Sequence, residues 1–338
     1  MSVEKPQNSE SREFHFEKIL VAGNRGPCGG VNMAIETVDQ VLNIVDGREK
    51  VFINWPVVHN DPIMEEFQER GLVVVENDWS KVPDGSIILF SAHGVPPSFR
   101  KIAENHNYLV IDTSCQLVTR VHNLVKKAEK EGKHVIYIGK QGHPETIGVM
   151  GEVQEGNITL IEKSADAENL GIGTGVDHIV YSQTTLMTSE TGGVEEALGV
   201  KFPDIYIPDR LGICYATFNR QAAVERLLKS GIDALIVVGS QRSHNSEMLR
   251  RTGEKAGILS AKLDYPDQLN INWLANSNMP GFTSGASVQD RFLEPVINKL
   301  RAVVPNSPVI YQEQVIEERE MTFTLPEESL KTLRARFN

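Results

Sequence analysis

Residues 108–130 read YLVIDTSCQLVTRVHNLVKKAEK, so a β-branched strand, a polar turn with one cysteine and an amphipathic helix follow one another. The same order recurs around Cys28 and Cys214, which lie 87 residues before and 99 residues after Cys115, and the chain has no other cysteine. An odd number of cysteines spread in this way argues against a disulfide framework. The spacing instead predicts three similar units that each direct one soft sulfur ligand towards a common centre.

Short apolar strands alternate with amphipathic helices almost from end to end, which is the pattern of parallel sheets covered by helices. We therefore predict an α/β fold of three similar small domains with mostly parallel sheets. The predicted boundaries are a flexible N-terminal tail (1–16), three α/β domains (17–112, 113–208 and 209–305) and a C-terminal strap (306–338). Segments 205–207, 309–313 and 321–325 are predicted as strands, and the end of the strap is basic.

The composition limits the function classes. The net charge is −11 and the Lys and Arg residues are scattered, which argues against a nucleic-acid partner but not against an anionic small molecule in a donor-rich pocket. No apolar run approaches the ~20 residues that cross a bilayer, and the first residues lack a signal-peptide pattern. We expect a cytoplasmic protein with no membrane span, in a compartment that keeps thiols reduced.

Each cysteine precedes a predicted helix, at 31–45, 117–130 and 216–229. The positive end of a helix dipole predicts a lowered thiol pKa for Cys28, Cys115 and Cys214. Inert, buried cysteines are the alternative, because free cysteine is often buried. A zinc site is disfavoured, since no histidine or CxxC pair accompanies the cysteines at short spacing. An iron–sulfur cluster with an incomplete cysteine set, which leaves one coordination position open, fits better.

Polar side chains gather where the predicted strands end, which is where open parallel sheets bind ligands. The main ones are His59, Asn60, His93, His143, Glu145, Thr184, Ser243, His244, Asn245 and Ser287. Together they predict a donor-rich cradle for phosphate groups, and the absence of a P-loop disfavours a triphosphate. Helix capping alone would also explain several of them when each is taken singly. Glu145, if shielded from water, would suit a proton donor.

In this order, the motifs resemble those of one family, the LytB-type 4-hydroxy-3-methylbut-2-enyl diphosphate reductases. The matching strings lie at 24–31, 57–60, 91–95, 112–119, 142–145, 183–186, 213–217, 219–221 and 283–287. Each string is short, but the ordered set is highly specific and covers roughly residues 18–325.

The resemblance implies a trefoil of three α/β domains around one [4Fe–4S] cluster, held by Cys28, Cys115 and Cys214 with an open fourth iron. It implies reductive dehydroxylation of the diphosphate to isopentenyl and dimethylallyl diphosphate, the last step of the non-mevalonate isoprenoid pathway. Electrons would come from a ferredoxin- or flavodoxin-like donor. Glu145 would deliver the proton, and Thr184 would position the substrate and the proton relay. The implied substrate-binding residues are His59, His93, His143, Thr184, Ser243, His244, Asn245 and Ser287.

Some residues depart from the family pattern. His244 stands where serine is usual and Gly29 where alanine is common, and both His244 and Lys140 would add positive charge near the diphosphate. Two alternatives stay open. A nicotinamide-dependent oxidoreductase would need GxGxxG after the first strand, which residues 25–30 do not provide. A non-enzymatic iron–sulfur or ligand sensor of the same architecture would not need Glu145 and Thr184.

Overall fold

The computed structural model describes residues 14–172, 177–208, 212–313 and 323–337. The strands are β1 (Ile19–Val21), β2 (Val51–Ile53), β3 (Leu72–Val74), β4 (Ile87–Phe90), β5 (Leu109–Asp112), β6 (His134–Ile138), β7 (Ile158–Ile161), β8 (His178–Ser182), β9 (Ala234–Val238), β10 (Leu259–Leu263), β11 (Pro280–Ser284) and β12 (Val309–Tyr311). The helices are α1 (Gly29–Val45), α2 (Asp61–Glu69), α3 (Pro97–Asn105), α4 (Gln116–Lys130), α5 (Pro144–Met150), α6 (Ser164–Glu168), α7 (Thr188–Lys201), α8 (Tyr215–Lys229), α9 (His244–Lys255), α10 (Asp290–Val303) and α11 (Glu327–Phe337).

The strands form three sheets. Their orders are β3-β2-β4-β5 in the first sheet, β7-β6-β8 in the second and β10-β9-β11-β1-β12 in the third. Every strand pairing in the described ranges is parallel. The predicted α/β class with mostly parallel sheets is confirmed, as is the division into three parts. No helix in these ranges is long and apolar enough to cross a bilayer.

The chain leaves each sheet through a cysteine turn and enters a helix that packs on the next sheet. The turn with Cys28 leads from β1 in the third sheet to α1, which packs on the first sheet. The turn with Cys115 leads from β5 in the first sheet to α4, which packs on the second sheet. After the second sheet, Cys214 precedes α8, which packs on the third. This circular exchange brings the three helix N-termini to one centre.

The sheets do not follow the predicted boundaries at the start of the first domain. Strand β1, at the start of the 17–112 unit, pairs with β11 and β12 and belongs to the third sheet. Parallel neighbours are always joined by a crossover, so order along the chain does not decide which sheet a strand enters. The predicted strand 205–207 makes a single bridge, between Tyr206 and Ile179. Residues 1–13 of the predicted tail lie outside the described residues.

The C-terminal strap connects two sheets. Strand β12 lies beside β1 in the third sheet, and α11 packs on the first sheet with Leu330 and Leu333 fully buried. The sequence analysis predicted no helix here, although the two leucines have the spacing of one helix face. Of the predicted strand 321–325, the first two residues lie outside the described residues and the other three are in no strand.

Candidate active site

One central pocket is lined by the twelve residues that the family resemblance assigns to the site, whereas Asn60, also predicted for the cradle, is not in the lining and caps α2. The twelve residues are Cys28, His59, His93, Cys115, His143, Glu145, Thr184, Cys214, Ser243, His244, Asn245 and Ser287. Most of the remaining lining is apolar, with valine, alanine and leucine side chains and Phe323, and the space measures about 850 Å³ including its open mouth. The structure therefore brings the predicted residues together, while their individual roles stay predictions.

The three cysteines occupy equivalent positions. Each is the N-cap of a helix: Cys28 of α1, Cys115 of α4 and Cys214 of α8. Each backbone N–H donates to a carbonyl two residues beyond the end of a neighbouring strand, and the three bonds are Cys28 to Ala286 (3.1 Å), Cys115 to Ala92 (3.0 Å) and Cys214 to Thr184 (3.0 Å). Three copies of one backbone arrangement thus direct three sulfurs into the pocket.

The predicted lowering of the thiol pKa is wrong for two of the cysteines. Burial, followed by the charge of Cys28, raises the pKa of Cys115 to about 12 and that of Cys214 to about 11. The helix N-termini act in the opposite direction, but burial among apolar side chains outweighs them. None of the three forms a disulfide.

The cysteines fit a metal centre that prefers sulfur. Crowded, buried thiols become thiolates when a cation binds them, because metal coordination replaces the proton. A Cβ at Gly30 would lie 2.6 Å from Sγ of Cys115, so only glycine keeps the approach to this sulfur open. Soft thiolate ligands select iron–sulfur clusters, zinc or Cu(I).

The carboxyl group of Glu145 is buried, and within the described residues it bonds to Thr184 alone. Its Oε1 accepts the backbone N–H of Thr184 at 2.7 Å, and its Oε2 accepts the Thr184 hydroxyl at 2.9 Å. Burial raises the pKa of Glu145 to about 7, although the two hydrogen bonds from Thr184 oppose this change. The carboxyl group is therefore about half protonated near pH 7, where an ordinary glutamate is ionised, and this suits a general acid.

Three histidines meet in the pocket as neutral rings. The ring centroids of His59, His93 and His143 lie 4.7–5.6 Å apart. Burial lowers the pKa of His59 to about 4 and that of His143 to about 3, and it lowers the pKa of His93 well below the ordinary value. Both ring nitrogens of His59 are buried, and neither has a hydrogen-bond partner among the described residues.

Two kinds of ligand fit three such rings, and one hydrogen bond favours an anion. Ring nitrogens of the three histidines lie within 4.8 Å of one another, close enough to share a metal ion. However, Nδ1 of His143 accepts the N–H of Glu145 at 3.1 Å, so the proton of the neutral ring is on Nε2. That nitrogen offers a donor rather than a lone pair, which suits a phosphate oxygen better than a cation.

Further donors come from the third sheet. Oγ of Ser243 accepts bonds from the N–H and the hydroxyl of Ser246, so its own proton is free to donate. Nδ2 of Asn245 is buried with no partner in the part of the chain that the structure describes, while its oxygen accepts the N–H of Ala286. Ser287 is different, because its hydroxyl donates to the carbonyl oxygen of His59 at 2.9 Å and must rotate to bind a ligand.

The model of the LytB protein family matches residues 19–301. The chain belongs to the LytB family. It is 38% identical over 312 residues to a protein of Francisella philomiragia named 4-hydroxy-3-methylbut-2-enyl diphosphate reductase, covering 91% of this chain and 96% of the relative. A Rhodopirellula baltica protein of the same name is 37% identical over 94% of this chain and 96% of its own length. The solved structure of the E-1-hydroxy-2-methyl-but-2-enyl-4-diphosphate reductase from Plasmodium falciparum has a TM-score of 0.89 and 30% identity, covering 96% of this chain and 100% of that one.

The sequence analysis missed three residues of this LytB-family site. Glu190 bonds to His244, which lines the pocket, and lies in the first turn of α7. Phe323 of the strap lies against Gly29, where a Cβ would overlap the ring. Arg220 is fully buried, and its guanidinium donates to the carbonyl oxygen of Gly26 at 2.8 Å, which ties α8 to the Cys28 turn. No local pattern predicts the last two, because both contacts join distant parts of the chain.

Proposed function

We propose that this chain reduces 4-hydroxy-3-methylbut-2-enyl diphosphate to isopentenyl and dimethylallyl diphosphate, as the last step of the non-mevalonate isoprenoid pathway. The observation that carries the proposal is one pocket in which three equivalent cysteines, a Glu145 with a raised pKa and three neutral histidines meet. The names of the LytB-family relatives support the same reaction.

Cys28, Cys115 and Cys214 would hold one [4Fe–4S] cluster with an open fourth iron. The all-sulfur donor set at three equivalent helix starts supports this assignment. When bound, such a cluster supplies single electrons and a Lewis-acidic iron. The electrons would come from a ferredoxin- or flavodoxin-like protein, and a cytoplasmic location would keep the three thiols reduced.

The histidines and the third-sheet donors would bind the diphosphate. His59, His93 and His143 lie on one side, while Ser243 and Asn245 lie at the N-terminus of α9, where free N–H groups and the helix dipole attract anions. An incoming anion raises the pKa of a nearby imidazole, so these neutral rings would take up protons as the substrate binds. The bound diphosphate would thereby hold the carbon chain of the substrate in one position against the apolar lining of the pocket.

Glu145 would deliver the proton that turns the leaving hydroxyl into water. Thr184 stands between this acid and the pocket, since its hydroxyl donates to Glu145 and its side chain lines the pocket. A proton could pass from Glu145 through the Thr184 oxygen to a substrate oxygen, with Thr184 giving up one proton as it receives another. The two Glu145 hydrogen bonds keep the acid and the relay in one arrangement.

Anaerobic turnover with a reduced artificial electron donor tests this function. We expect the wild-type protein to form both products and Glu145→Gln to keep its cluster and bind the substrate but lose most turnover. Mössbauer spectra with and without substrate should differ at one iron site only. Normal turnover by Glu145→Gln would contradict the acid assignment, while tight binding with no turnover by the wild type would favour a sensor.

A further inference from the structure

A carboxylate–histidine pair lies at the rim of the pocket and joins two of its three parts. Nε2 of His244 is 3.0 Å from Oε2 of Glu190, and Nζ of Lys140 is 4.0 Å from the other carboxylate oxygen. His244 begins α9, which packs on the third sheet, whereas Glu190 lies in the first turn of α7, which packs on the second. The side chains of His244 and Glu190 are 19% and 17% exposed, so both are shielded; His244 lines the pocket, and Glu190 lies behind it.

Glu190 is ionised in this arrangement. Burial acts against the charged form, but hydrogen bonds from His244 and from the N–H of Met187, together with the charge of Lys140, hold the pKa of Glu190 below its ordinary value. A carboxylate can only accept, so the proton between the two residues lies on Nε2 of His244. Nδ1 of His244 is then left for a ligand.

His244 differs in this way from the other three histidines of the pocket. His59, His93 and His143 face one another, and no carboxylate bonds to their rings in the described part of the chain. A carboxylate behind a histidine fixes its tautomer and makes the opposite nitrogen more basic. The charge of His244 contributes to the lowered pKa of His143, so the two rings are near enough to act on one ligand.

We propose that Glu190 is a positioning residue that holds His244 as a charged donor to the outer phosphate group of the substrate, with Lys140 balancing the carboxylate. The inference rests on the proposed function, because it assumes that the reacting carbon lies near the cysteines and Glu145. The phosphate farther from the reacting carbon then lies nearest to the rim. This subsite would favour a diphosphate over a monophosphate.

Calorimetric binding of inorganic diphosphate and of orthophosphate to the cluster-loaded protein tests the role of Glu190. Glu190→Gln keeps the side-chain shape and one oxygen that can accept from both the Met187 N–H and Nε2 of His244, but it removes the charge. We expect diphosphate affinity to fall about tenfold and orthophosphate affinity to change little, because a charge-assisted bond is replaced by a neutral one. In turnover, KM for the substrate should rise while kcat stays close to the wild-type value.

The matched control is Asp166→Asn. Asp166 caps α6 in the same part of the fold, where it accepts the N–H groups of Glu162 and Lys163, and it does not line the pocket. If weaker helix capping alone lowers diphosphate affinity, the affinity should fall in both Glu190→Gln and Asp166→Asn. Thermal unfolding measures how much stability each variant loses through its weaker cap. We expect unchanged diphosphate binding in Asp166→Asn.

A double-mutant cycle separates an effect through His244 from a direct effect of Glu190. His244→Ser leaves the Glu190 cap intact and should lose as much diphosphate affinity as Glu190→Gln, with no further loss in the double variant. Wild-type affinity in Glu190→Gln, or equal losses that add in the double variant, would overturn the role of Glu190. Failure of the wild type to bind diphosphate would overturn the proposed cradle and this inference together.

Discussion

Thr184→Val should move the pH dependence of turnover towards higher pH. Valine has nearly the same shape as threonine, keeps the backbone N–H that binds Oε1 of Glu145, and removes only the hydroxyl that binds Oε2. Both bonds stabilise the carboxylate, so losing one favours the protonated acid. In the proposed mechanism protonated Glu145 is the active form, so turnover should fall as pH rises through its pKa.

The size of this change follows from the energy of the hydrogen bond that is lost. A hydrogen bond to a charged group contributes about 1.5–3 kcal/mol, and roughly 1.4 kcal/mol corresponds to one pKa unit. Burial places the pKa of Glu145 at about 7 with both bonds present. Without the hydroxyl we expect Glu145 to have a pKa of roughly 8–9. The alkaline limb of the pH profile should move up to that pH range. The maximum rate should fall as well, because the Thr184 hydroxyl is no longer present to relay the proton.

Anaerobic kcat measured against pH, with infrared detection of the protonated carboxyl group, checks the shift. Thr146→Val is the matched control, because the neighbouring Thr146 hydroxyl is also buried but donates to Gln183, at 3.4 Å, rather than to Glu145. Its limb should stay at the wild-type position. An alkaline limb in Thr184→Val at or below the wild-type pH would refute the assignment of Glu145 as the titrating acid.

Two further outcomes follow from the pocket. Burial holds the pKa of His59 at about 4, so an anion that raises this pKa causes the ring to take up a proton on binding. Diphosphate should therefore bind more tightly as pH falls from 7 towards 5, and calorimetry in buffers of different ionisation heat should detect the proton uptake. Binding that does not depend on pH would contradict this. Gly29→Ala should destabilise the protein by about 1–3 kcal/mol, because the new methyl group overlaps the Phe323 ring. Denaturant unfolding measures this change in stability. Adding Phe323→Ala to the same chain should recover most of the lost stability.

The sequence predicted the site better than it predicted the connections between sheets. Strand–turn–helix order around Cys28, Cys115 and Cys214 is local information, and it was sufficient to predict three helix N-termini that carry sulfur. Sheet membership is not local: β1 is three residues long, and its pairing with β11 depends on contacts across most of the chain. The domain boundaries therefore stay a prediction from chain order, and the sheets depart from them at β1.

Environment explains the clearest error about the site. A helix N-terminus stabilises a thiolate, and that local rule predicted acidic cysteines. The same turns pack Cys115 and Cys214 among apolar side chains and beside Cys28, and burial raises their pKa values instead. The burial of a side chain depends on the whole fold, so no single motif contains this information. For the same reason the pairing of Glu190 with His244 was not predicted, since the two residues lie on helices that pack on different sheets.

Burial drives the main titrating groups of the pocket towards their uncharged forms. Cys115 and Cys214 hold their protons, the three facing histidines lose theirs, and Glu145 is half protonated near pH 7. Such a pocket costs little to fold, because few buried charges are left without a partner. It also makes the site responsive, since a cation at the thiols and an anion at the imidazoles each create the charge that binds them. The thiols favour a cation and the imidazoles favour an anion, so a sulfur-ligated metal centre and a phosphate group would each bind at only one end of the pocket.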